Sequence, residues 1–260
     1  MVFLPLDQAI SKDCFKNVRL IATDMDGTLT QSGKFTPALL QALEDLAKAG
    51  MAVLIVTGRS AGWVSGLASY LPVVGAIAEN GGLFYPSSSD RPLVLLPISD
   101  PANYRRQLAT VFYQLRAKFP QIQESADNCF RITDWTFDNR EIAPEQLPDM
   151  ADFCDRLGWG FTYSSVQCHI KPQQQDKASG LLKVLADYFP ECSLDQVVTV
   201  GDSPNDESLF NPEYFPISVG VANVLDYVEA MNYHPAFVTN SAEGEGFCEL
   251  ARTLGHAQLI

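Results

Sequence analysis

Uninterrupted apolar runs alternate along this chain with segments whose apolar residues recur every three or four positions, and that alternation sets the expected architecture. Val18-Arg19-Leu20-Ile21-Ala22-Thr23 reads as a first strand. Thr36-Pro37 then offers a helix cap and a proline for the first helical position, and Gly50 a stop. Between them Leu39, Leu40, Leu43, Leu46 and Ala47 make one apolar face. Residues 51–56 are apolar throughout, as in a strand covered on both faces. Thr57-Gly58-Arg59-Ser60 turns into a second helix with Trp63, Val64 and Leu67, and residues 73–78 form a third strand closed by Glu79-Asn80-Gly81-Gly82. Strand and helix in succession predict a parallel sheet.

The pattern changes after Tyr85. Residues 86–90 carry turn chemistry, and Leu93-Val94-Leu95-Leu96 follows. A helix then bears Leu108, Val111, Phe112, Leu115 and Phe119 on one face, and residues 130–137 alternate like a half-exposed strand. A second helix with Leu147, Met150, Phe153 and Leu157 precedes short strands around 161–163 and 166–170. From Gln173 the first pattern returns. Lys177 opens a helix carrying Leu181, Val184 and Leu185, and strands are expected at 197–200 and 217–219. The predicted fold is α/β, a doubly wound parallel sheet. Residues 1–84 and 172–260 form its core, interrupted by an inserted α+β domain over 85–171.

Composition narrows the function. The 260 residues include 18 basic and 31 acidic side chains, a formal charge of −13. That acidity argues against nucleic acid and anionic membrane as partners. It also means that an anionic substrate needs a bound cation or a placed lysine. The six cysteines are scattered without zinc-ligand spacing and are expected as buried, reduced thiols. Met1-Val2-Phe3-Leu4-Pro5-Leu6-Asp7 lacks a basic leader region, and no apolar run has membrane-spanning length, so a cytoplasmic protein is expected, a monomer or weak dimer.

Candidate chemistry gathers at strand ends, where open α/β sheets bind ligands. Asp24-Met25-Asp26-Gly27-Thr28 sets two carboxylates one residue apart at the first such end, though turn chemistry alone also favours Asp-Gly there. A turn at Met25 would swing Asp26 back toward Asp24. Thr57-Gly58 offers a hydroxyl and N–H groups at a helix start, as an anion site or a plain helix cap. Lys177 near a helix start opposes the helix dipole, which hints at a role beyond solvation. Gly201-Asp202-Ser203-Pro204-Asn205-Asp206 brings a carboxylate to the sheet edge and two polar residues into the next turn. Asp202 beside Asp24 would be repulsive without a cation between them, and Mg²⁺ meets that description.

These four stretches, in this order, resemble the motifs of haloacid dehalogenase (HAD) superfamily phosphatases. An insert between the second and third motifs resembles the subfamily IIB cap of Cof, sucrose-phosphatase and mannosyl-3-phosphoglycerate phosphatase relatives. Glu79-Asn80-Gly81-Gly82 is similar to an element of that group. The resemblance implies Asp24 as nucleophile and Asp26 as acid and base, its backbone carbonyl on the metal. It implies Lys177, Thr57, Gly58 and Asn205 around the phosphate, and Asp24, Asp26, Asp202 and Asp206 around Mg²⁺. It also implies a Mg²⁺-dependent phosphomonoesterase for a phosphorylated sugar or similar small metabolite. Asp26 speaks against a dehalogenase, which lacks that residue. A phosphosugar mutase and a catalytically idle phosphosugar-binding protein stay open. In the insert, Trp135, Trp159, Arg131, Arg140, His169 and Lys171 suit a sugar, but Trp135 also reads as core, the arginines as solvated and His169 as a packed strand residue.

Overall fold

Alternate residues of a strand serve opposite faces of its sheet, and the two apolar clusters of the core obey that rule. Ile21, Val53 and Ile55 join one cluster, while Leu20, Ala22, Leu54 and Val56 join the other. The computed structural model describes residues 4–11, 13–89 and 91–257. Met1 to Phe3 and Asp90, on which the leader and turn expectations partly fell, lie outside the described residues.

In chain order β1 (Leu4–Pro5), α1 (Leu6–Ser11), β2 (Leu20–Thr23), α2 (Pro37–Lys48), β3 (Ala52–Val56), α3 (Ala61–Tyr70) and β4 (Gly75–Ala78) come first. Next are β5 (Leu83–Pro86), β6 (Leu93–Val94), α4 (Pro101–Lys118), β7 (Trp135–Asp138), α5 (Leu147–Arg156), β8 (Gly160–Tyr163) and β9 (Gln167–Lys171). The chain continues with α6 (Lys177–Tyr188), β10 (Val197–Gly201), a 3₁₀ turn (Pro204–Phe210), β11 (Ile217–Gly220), β12 (Phe237–Val238) and α7 (Glu243–Ala257).

The large sheet has nine strands in the order β1-β12-β11-β10-β2-β3-β4-β5-β6. It is parallel from β1 to β4 and antiparallel at β4–β5 and β5–β6. The doubly wound α/β expectation therefore holds. α2, α3 and α7 pack on one face and α6 on the other. Thr36 caps α2 by accepting from Leu39 N–H, with Pro37 in its first turn. Leu39, Leu43 and Leu46 are buried, but Leu40 is 42% exposed, so the apolar face is narrower than the pattern suggested. α7, which the pattern reading passed over, packs beside α2 through Phe247, Leu250 and Leu254.

The inserted segment has its own core. α4 and α5 cover a three-stranded antiparallel sheet in the order β7-β9-β8. A division at residue 85 cuts through the large sheet, because β5 and β6 belong to it. The expected strand over 130–137 is shortened to β7. Upstream of it the N–H groups of Ile132 and Thr133 donate to Glu79 instead of to a neighbouring strand. Of the cysteines, Cys154 and Cys168 are buried, Cys129 is exposed and the other three are half-buried. The apolar pattern thus overstated how many thiols sit inside. Among the described residues no helix is long and apolar enough to cross a membrane.

Candidate active site

β2 lies between β10 and β3, and Asp24 N–H donates to Val200 O at 2.9 Å. Asp24 thus leaves the sheet where the chain runs off to either side, the crevice in which α/β sheets bind ligands. The backbone turns at once. Thr28, Leu29 and Thr30 N–H all donate to Met25 O, and Gly27 has φ +79°. A side chain at Gly27 would place its Cβ 2.4 Å from Asp202 Oδ2, so glycine is required by conformation and by space together. Thr28 Oγ1 and Asn223 Nδ2 donate to the two Asp202 oxygens at 3.2 and 2.8 Å.

Lys177, in the first turn of α6, is fully buried. Its Nζ donates to Asp24 Oδ1 at 2.5 Å and Asp206 Oδ1 at 2.7 Å. The other Asp206 oxygen accepts from Asp202 N–H and Ser203 N–H at 3.0 and 3.1 Å. Oxygens of Asp24, Asp202 and Asp206 all lie within 4.8 Å of one another. Three buried carboxylates against one ammonium leave two negative charges uncompensated. Burial pushes the Asp24 carboxyl up to about 7; Lys177 opposes this, and Asp206 and Asp26 add to it. Burial, then Asp24 and Asp206, push Asp202 well above the carboxylate range. Burial pulls the Lys177 ammonium down, but Asp206 and Asp24 outweigh it and hold it above its usual value. An all-oxygen donor set with surplus negative charge fits a hard divalent cation.

Asp24, Asp26, Thr57, Gly58, Asn205 and His169 line one narrow cleft beside this cluster. Thr57 N–H donates to Ile77 O, which fixes it at the end of β3, and Gly58 to Ser60 lead into α3. Asn205 Nδ2 donates to Asn80 Oδ1 at 3.1 Å, while Asn80 Nδ2 is buried without a partner among the described residues. The Asp26 carboxylate stands apart from the acid trio. Arg59 Nε and Nη2 take its two oxygens at 2.7 and 2.6 Å, and the guanidinium lies 4.8 Å over the Trp63 ring.

The inserted domain closes over this cleft. His169 of β9 packs on Gly58, where an added Cβ would lie 3.2 Å from Nε2. Its Nδ1 meets Asp134 at 2.8 Å, and Arg131 Nη1 joins both Asp134 oxygens and Gly58 O at 2.9 to 3.0 Å. Glu79 accepts from Ala61 N–H in α3 and from Ile132 N–H, Thr133 N–H and Thr133 Oγ1 across the junction. Burial, then Asp134, push the Glu79 carboxyl up to about 7.

The predicted residues thus fall into two adjoining groups: Asp24, Lys177, Asp202 and Asp206 in the acid cluster, with Asp26, Thr57, Gly58 and Asn205 along the cleft. Arg131 is not solvated but buried, because its donors meet Asp134, Asp127 and Gln167. Arg140 is exposed as expected, and Lys171 is buried. His169 is packed, yet it also faces the cleft. The sequence reading gave no role to Arg59, Thr28 or Asn223. Arg59 stood inside a quoted motif, and its signal was a guanidinium two residues past Thr57.

Comparison with known proteins bears on the family and the fold. The phosphoglycolate phosphatase of Thermoplasma acidophilum is 24% identical over 246 residues, spanning 94% of this chain and 100% of that protein. That of Nitrosopumilus maritimus is 29% identical over 244 residues, with 89% and 94% covered. A solved structure from Thermoplasma acidophilum shares the fold at TM-score 0.73 and 22% identity, covering 94% of this chain and 99% of that one. The C-terminal domain of C. albicans trehalose-6-phosphate phosphatase does so at TM-score 0.70 and 15% identity, covering 100% and 99%. The family described as haloacid dehalogenase-like hydrolase matches residues 21–102 and 100–249. With nearly all of its core and insert inside those bounds, the chain belongs to the haloacid dehalogenase-like hydrolase family.

Proposed function

We propose that this hydrolase is a Mg²⁺-dependent phosphomonoesterase that releases phosphate from a small phosphorylated metabolite, a sugar phosphate or a compact phosphorylated acid. The observation that carries the reading is one buried lysine shared by two carboxylates, with a third within 4.8 Å. Asp24 attacks phosphorus, the bond from phosphorus to the leaving oxygen breaks, and an aspartyl-phosphate forms on Asp24. Asp26 gives that oxygen its proton and then takes one from the water that frees the phosphate. Lys177, Thr57 Oγ1 and the N–H groups around Gly58 hold the phosphoryl oxygens, and Asn205 lines the same cleft. Asp24, Asp202, Asp206 and the Asp26 carbonyl would hold Mg²⁺. When bound, Mg²⁺ supplies positive charge to oxygens on which negative charge gathers. The segment from α4 to β9 acts as the cap that selects the leaving group. Relatives named phosphoglycolate phosphatase support a compact ester.

Asp24→Asn tests the reading with p-nitrophenyl phosphate and Mg²⁺, an ester whose phenolate departs without a proton from Asp26. Release of phosphate is expected to vanish while near-ultraviolet circular dichroism stays that of the native protein. Full turnover by that variant would remove Asp24 as nucleophile.

A further inference from the structure

Asp26, the residue assigned to the leaving oxygen, has both carboxylate oxygens engaged by Arg59 at 2.6 and 2.7 Å. A carboxylate with both oxygens engaged in a guanidinium fork must give up at least one of those bonds to turn that oxygen fully to a leaving group. The pair is only partly buried, with side chains 22% and 18% exposed, and it sits in the cleft wall. The neighbouring cations are committed elsewhere. Lys177 is shared by Asp24 and Asp206, buried Arg131 is held by Asp134 and Asp127, and Lys171 donates to Gln175 O. Arg59 is therefore the cation of this cleft whose partner can be exchanged. Trp63, 51% exposed, lies under its guanidinium and offers it a plane to slide upon.

We propose that Arg59 is the specificity-determining residue of the cleft: it clamps Asp26 and passes to a carboxylate on the leaving group, so that phosphorylated small acids free Asp26 and neutral esters do not. The proposal rests on the phosphomonoesterase reading. The exchange replaces one carboxylate by another on the same planar fork, so the guanidinium keeps a bidentate partner throughout. A neutral leaving group offers no such partner, and the clamp stays closed. Selection by charge then comes from releasing a residue already present, beyond any gain in affinity.

The test compares 2-phosphoglycolate with its amide, the same ester with the carboxylate made neutral. Wild-type kcat/KM is expected to favour the acid, and Arg59→Ala to shrink that ratio by about tenfold or more. Arg59→Lys, which cannot fork, is expected to lie between, and it serves if the alanine variant does not fold. A ratio the same in wild type and variants, or no wild-type preference, overturns the proposal. Tryptophan emission gives a second readout on the Asp24→Asn protein. The acid, and not the amide, is expected to change it, and Trp63→Phe to remove the change; an equal response to both esters counts against the handover. Wild-type turnover with an unshifted ratio sinks the Arg59 assignment alone. Wild-type protein that releases phosphate from neither ester, nor from p-nitrophenyl phosphate, sinks the phosphatase reading with it.

Discussion

Replacing Arg131 with methionine would expose what holds the charged interior of the inserted domain. The Arg131 side chain is closed to solvent, and its Nη1 reaches the Asp134 oxygens at 2.9 and 3.0 Å and Gly58 O at 3.0 Å. Methionine keeps much of the stem and removes every donor. Asp134, itself fully buried, is left with His169 Nδ1 at 2.8 Å. Removing one member of a buried pair costs about 3–5 kcal/mol, because the other charge stays behind without its partner. A loss of that size at pH 7 is a large share of the about 5–15 kcal/mol that a typical domain has. Acid should relieve it. Burial pushes the Asp134 carboxyl up, but Arg131 and then His169 outweigh burial and hold it below the usual range. A carboxylate lowered in this way contributes stability above its unfolded value of 3.8, lost as pH falls through the folded value. Without Arg131, burial wins and the carboxyl rises, so the variant's deficit should shrink between pH 7 and pH 5. Urea melts of wild type, Arg131→Met and Arg131→Met/Asp134→Asn at both pH values measure this. The double variant, in which the buried Asp134 charge is gone and only the half-buried Asp127 has lost its guanidinium, should recover at least about half of the loss. A deficit under about 1 kcal/mol at pH 7, or equal deficits in single and double variants, would refute the reasoning.

In EDTA, Asp202→Asn should melt above wild type, since burial, Asp24 and Asp206 all oppose the charge it removes. The same variant should lose the Mg²⁺-induced rise in melting point expected of wild type, which would be worth about 2.7 kcal/mol at a hundredfold the Kd. Scanning fluorimetry with and without Mg²⁺ reads both effects, and a rise equal to wild type would take Asp202 out of the ligand set. Gly82→Ala would bring a Cβ to 1.8 Å from Thr133 Oγ1 and press on the Glu79–Thr133 junction. A cost of about 1–3 kcal/mol is expected, with a raised KM in steady-state assays, and an unchanged melting point would contradict that close approach.

The strands that deliver the site were legible because both their faces are apolar, and the site residues because each follows such a strand or opens a helix. Local grammar carried α2 as well, through Thr36, Pro37 and Gly50. What escaped depends on partners remote in sequence. Arg131 reads as a surface residue until Gln167, 36 positions away, and Asp134 close it in. Residues 130–134 alternate like a strand, yet Glu79, 54 positions from Thr133, takes their N–H groups instead. Arg59 and Asp26 are likewise 33 positions apart, so no spacing rule announces the fork between them. β12 is two residues long, too short for a period to register.

The neighbour relation of β2 and β10 bears on how the chain is made. Thr28 and Asp202 touch although 174 positions separate them. At the usual pace of translation, about 5–20 residues per second, roughly 10–35 seconds pass between the emergence of one and the other. Through that interval β2 has β3 on one flank and bare N–H and C=O groups on the other, an open edge of the kind that recruits stray strands. The insert can fold meanwhile, because β7, β8 and β9 find one another within their own stretch. A ribosome stalled just past the insert therefore carries a finished inserted domain beside half a sheet, and chaperone occupancy should peak there.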